Sequence, residues 1–123
     1  MSTDDPEIRD LSPAHFRTLR ECAGLTQQDV AQHAGVQDRS ARRWESTHVA
    51  PLEVQEWVRD CWREVRDTAR AVTERRDEDG EVTLTRAATG WEYGEHWTPG
   101  MDAAVTRLAL ALLELDGTEV TVE

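Results

Sequence analysis

The chain has 123 residues, of which 38% are hydrophobic, and a formal net charge of −11. That length suits one compact domain, or a minimal domain with an appendage, and it buries a core without disulfide or metal staples. No stretch approaches the ~18 consecutive apolar residues of a membrane span, and the acidic run from Met1 to Asp10 does not resemble a signal peptide. No membrane partner is expected, therefore, and the cytoplasm is the default compartment.

Ser12-Pro13 supplies a capping hydroxyl and a first-turn proline for an initial helix. Phe16, Leu19 and Cys22 or Ala23 recur along it at helical spacing, and Gly24 is placed to stop it. Thr26 caps a second helix, Gln27 to His33, with Val30, Ala31 and Ala34 turned inward and Gly35 making the turn. A third helix is expected over Asp38 to Ser46, its Ala41 and Trp44 facing the core. Together these have helix-turn-helix proportions. Pro51 opens a long helix reaching about Arg76, with the stripe Val54, Trp57, Val58, Cys61, Trp62, Val65, Ala69 and Val72. Its first turns would close the core, and the remainder must pack on something else.

Asp77 to Gly80 reads as a charged turn, and Glu81 to Thr85 alternates like a strand. An aromatic loop follows from Gly90 to Gly100, containing Trp91, Tyr93, His96 and Trp97. Thr98-Pro99 starts a helix whose stripe is Met101, Val105, Leu108 and Leu112, with Ala104, Ala109 and Leu113 alongside. Asp116-Gly117 ends it, and Thr118 to Val122 is a last short strand whose pairing the pattern leaves open. The expected class is mainly α with a small α+β C-terminal part. It comprises a five-helix N-terminal helix-turn-helix region running into a long helix, then strand–helix–strand. Residues 12–76 form the first part and 77–123 the second.

Charge is unevenly spread. Residues 1–10 carry −3, residues 11–50 carry +1, and residues 51–123 carry −9. Arg39, Arg42 and Arg43 concentrate positive charge on the third helix. Cys22 and Cys61 stand alone, outside any metal-ligand spacing, and are expected to be reduced, buried side chains. His15, His33, His48 and His96 are scattered. With no paired acid and base, no nucleophile with a partner and no Gly-rich phosphate loop, an enzyme is the least supported reading, and no cofactor or metal is expected.

Leu25-Thr26-Gln27-Gln28-Asp29-Val30-Ala31, then Gly35-Val36, Trp44-Glu45 and Pro51 resemble the phage-repressor (Cro/C1, or XRE-type) helix-turn-helix over about residues 12–58. Two positions depart from the pattern: Gln37 replaces the usual Ser or Thr cap, with Asp38 available to take over, and Ser46-Thr47 replaces a glycine. The resemblance implies that Arg39 is the main base reader with Arg43 second, on one face of the helix. Arginine pairs with guanine O6 and N7. Asp38 and Ser40 join the base-contacting set. Arg42, Gln37, Thr26 and Gln27 are implied as phosphate contacts, and Arg20 with Glu45 as a partly buried scaffold salt bridge.

More weakly, Arg39-Ser40, Trp44-Glu45-Ser46, Ala50-Pro51 and Val54, followed by a long helix, a strand and a late Ala/Leu-rich helix, resemble the anti-CRISPR-associated repressors and YdiL-type proteins. Those imply a homodimer on an inverted repeat, formed through the long helix and the C-terminal region. A two-stranded sheet is marginal alone, which points the same way. The reading is a double-stranded DNA-binding repressor that controls its own operon. The alternative is an antitoxin that also binds a toxin protein through its acidic C-terminal half. A regulator gated by a ligand at Trp91, Tyr93, His96 and Trp97, and a non-DNA interaction module, remain as competing readings.

Overall fold

The computed structural model describes residues 10–75, 80–85 and 96–123. Its elements are α1 (Pro13–Cys22), α2 (Gln27–Ala34), α3 (Asp38–Arg43), α4 (Leu52–Thr73), β1 (Val82–Leu84), α5 (Pro99–Leu115) and β2 (Val120–Val122). The fold is mainly helical with a small β part. Among the described residues four helices, α1 to α4, precede β1 rather than five. Two compact units are present, Met1–Asp60 and Cys61–Glu123, and α4 contributes to both.

The first unit follows its local signals closely. Ser12 accepts from the His15 N–H at 3.1 Å and Pro13 occupies the first turn of α1. At the end of α1 it is Ala23 that turns inward, which leaves Cys22 exposed while Cys61 is buried. Thr26 and Asp29 form a reciprocal capping box: the Thr26 hydroxyl accepts from the Asp29 N–H at 3.0 Å, and Asp29 accepts from the Thr26 N–H at 2.8 Å. Such a cap contributes about 1 kcal/mol. Gly35 closes α2 in the left-handed region, φ 70°, where a Cβ would be strained.

Helix α3 is shorter than its sequence implies, ending at Arg43 instead of Ser46. Beyond Trp44 the amides of Ser46, Thr47 and His48 all converge on the Arg43 carbonyl, at 2.9–3.2 Å, and the Ser46 hydroxyl takes the Arg42 carbonyl at 3.3 Å. With three amides gathered on one carbonyl, the chain closes into a turn and the helical ladder goes no further. Gln37 occupies the N-cap of α3 without a side-chain cap hydrogen bond, and Asp38 is the first helical residue, so it does not take over the capping. The core is built on small residues, Ala23, Ala31, Ala41 and Ala50, around Phe16, Leu25, Val30, Val54 and Val58. Trp44 is half-buried.

Gln55 is the unexpected member of this core. Its side chain is almost fully buried, accepts from the Leu11 N–H at 2.8 Å, and donates to the Ala50 carbonyl at 2.8 Å and to Asp10 at 3.3 Å. One amide thus satisfies backbone groups on two segments that no helix or sheet could pair.

In the second unit, α4 ends three residues before Arg76, its last turn tightened by the Glu74 and Arg75 amides on the Ala71 and Val72 carbonyls. Strands β1 and β2 pair in parallel, Val82 opposite Val120 and Leu84 opposite Val122. A parallel pair needs a long crossover, which α5 supplies. Thr98 caps α5 by accepting from the Met101 N–H at 3.0 Å. Val82 and Leu84 are buried on either side of exposed Thr83. With Val65, Ala69, Trp97, Met101, Ala109 and Leu113 they make this unit's core.

Candidate nucleic-acid interface

The site expected from sequence lies on α3 and the start of α2. Arg39, Arg42 and Arg43 are all exposed, as are Gln37 and Asp38; Ser40 is half-buried and Ala41 fully so. Buried Ala41 fixes which side of the short helix faces the core. Arg39 and Arg43, four apart, share one outward face, and Arg42 lies beside it. No carboxylate among the described residues is within ion-pair distance of these three arginines. In a chain of net charge −11 that is an uneven placement.

What holds this helix in place is polar. Arg20 donates from Nε to Glu45 Oε2 at 2.6 Å and from Nη2 to Glu45 Oε1 at 3.1 Å, a two-pronged pair between α1 and the turn after α3. Its Nη1 also donates to the Leu25 carbonyl at 2.7 Å, which fixes the α1–α2 corner. The side chains are 12% and 4% exposed, so the pair is desolvated. Gln27 completes the network by donating from Nε2 to Glu45 Oε1 at 3.2 Å. One carboxylate therefore ties α1, α2 and the end of α3 together.

The remaining expected contacts are arranged less uniformly. Gln27 is half-buried with its amide nitrogen already engaged by Glu45. Thr26 is exposed, but both its N–H and a lone pair of its hydroxyl serve the capping box. His33 stacks on Trp57 with ring centroids 3.9 Å apart and an interplanar angle of 6°, joining α2 to α4; no local pattern announces that contact, which joins residues on two separate helices. No family model matches this chain, and neither does any curated protein or solved structure.

Elsewhere, Trp91 and Tyr93 of the aromatic loop lie outside the described residues. Of its other members, Trp97 is buried, and His96 is exposed with its Nε2 2.7 Å from Glu64 Oε2. An open cleft beside them is lined by Glu64, Asp67, Thr68, His96 and Trp97. Among the described residues no group of three or more His, Cys, Asp or Glu could hold a metal ion, and no helix is long and apolar enough to cross a membrane.

Proposed function

We propose that the chain is a sequence-specific double-stranded DNA-binding regulator of the helix-turn-helix type, an autoregulatory repressor that binds an inverted-repeat operator as a homodimer. The observation that carries this reading is the set of exposed arginines on α3, free of carboxylate partners among the described residues, on a helix clamped from behind by Arg20, Gln27 and Glu45. Such a helix offers guanidinium groups outward at low ordering cost, because its own backbone is already fixed.

In this reading α3 enters the major groove, with Arg39 the principal base reader and Arg43 one turn behind it. Asp38 and Ser40 border the base edges. Arg42 reaches a phosphate, with Gln37, Thr26 and Gln27 along the same backbone. Gln27 then has a double role: its amide nitrogen steadies Glu45 while the rest of the side chain faces the duplex. Repression is steric, as a dimer across a promoter excludes polymerase.

The test is Arg39→Ala, measured on the protein's preferred duplex at fixed salt. It should cost about 1–3 kcal/mol and relax preference at one base pair per half-site. Wild-type affinity in the variant would mean that α3 does not dock in this register.

A further inference from the structure

We propose that two copies of the chain pair through the outer side of α5, antiparallel, about a two-fold axis at Ala111. This deepens the homodimer reading above by naming the surface that forms it. Helix α5 is apolar almost all the way round, its polar side chains being Asp102, Thr106, Arg107 and Glu114. A helix of that kind is buried on every side. The N-terminal half conforms, since Met101 to Thr106 are all buried. The C-terminal half does not: Ala111 is exposed, Leu108 and Leu112 are half-buried, and Leu115 is 84% exposed.

Leu108, Ala111 and Leu115, spaced three and four apart, form a seam of the kind that packs helix against helix. Ala111 at its middle lets two backbones approach. With the dyad there, Leu108 lies within one residue of the level of the partner's Leu115, and the reverse holds by symmetry. Beside the seam, Arg107 and Glu114 occupy the same flank, both exposed. Seven residues apart, they are separated by about 10 Å along the axis and do not reach each other.

An antiparallel two-fold brings this flank against itself, so Arg107 meets the partner's Glu114 within one residue of the same level. A parallel pairing would instead set both charges against the flank of Leu112 and Val105. The charge pattern therefore selects a second copy of this chain as the occupant, and the antiparallel arrangement as its geometry.

Sedimentation equilibrium of the full chain without DNA tests this apart from any nucleic-acid binding. The wild type should sediment at twice its 14.0 kDa chain mass. Ala111→Arg, at an exposed helical position, sets like charges on the dyad and should give the single-chain mass with an unchanged far-ultraviolet circular dichroism spectrum. Arg107→Glu should weaken association about tenfold, and adding Glu114→Arg should restore it. A wild-type monomer, or a dimer indifferent to Ala111→Arg and Arg107→Glu, would overturn the pairing. A monomer that still selects a DNA sequence would sink this proposal alone, whereas an α5-dependent dimer that selects none would sink the DNA reading alone.

Discussion

Replacing Glu45 with alanine removes the acceptor for three donors at once: Arg20 Nε, Arg20 Nη2 and Gln27 Nε2. The Arg20 side chain is only 12% exposed, so its charge would remain largely out of water with the Leu25 carbonyl as its one remaining partner in the network. Breaking one side of a buried pair costs about 3–5 kcal/mol, most of it the stranded charge. Because this site keeps some solvent contact at Arg20, the lower part of that range applies, about 3 kcal/mol. At a urea slope of roughly 1.5–2 kcal/mol per molar for a chain of this size, the unfolding midpoint should fall by about 1.5–2 M. Arg20→Met combined with Glu45→Leu removes both charges and keeps the volume, and should recover most of the loss. An unfolding free energy for Glu45→Ala within about 0.5 kcal/mol of wild type, a midpoint shift of only about 0.3 M, would contradict this, since that is the response of an exposed surface pair.

Two further outcomes follow from other parts of the molecule. Gln55→Leu keeps the side-chain size but strands the Leu11 N–H and the Ala50 carbonyl, and should cost about 2–4 kcal/mol in thermal or urea unfolding; an unchanged midpoint would mean that neither backbone group depends on the amide. Arg42→Ala should weaken binding to all duplexes alike and reduce the slope of log affinity against log salt by about one unit. A loss confined to one base position would make Arg42 a reader instead.

Local chemistry made much of the fold legible. Ser12, Thr26 and Thr98 all cap the helices that their sequence neighbours announce, because a hydroxyl satisfying an amide three residues on is a short-range event. Period and length located α4 and α5 for the same reason. The end of α3 was misread because Ser46 and Thr47 fit a helical pattern yet hydrogen-bond back to close a turn. Gln55 was invisible, since a glutamine in a helix looks like surface and its partner Leu11 lies 44 residues away. The parallel register of β1 and β2 is not legible locally, because a helix can link strands in either sense. At the candidate interface the Arg20–Glu45 pair followed from the family resemblance. The Gln27 contact to the same carboxylate did not, because it depends on how closely α2 approaches the end of α3.

The DNA-binding proposal rests on α3 recognising a sequence of base pairs. The most direct measurement is selection of bound duplexes from a random pool by the purified chain at physiological salt. Enrichment of an inverted repeat with half-sites about one helical turn apart is the predicted result. Recovery of no preferred sequence, with the chain folded and dimeric, would contradict it.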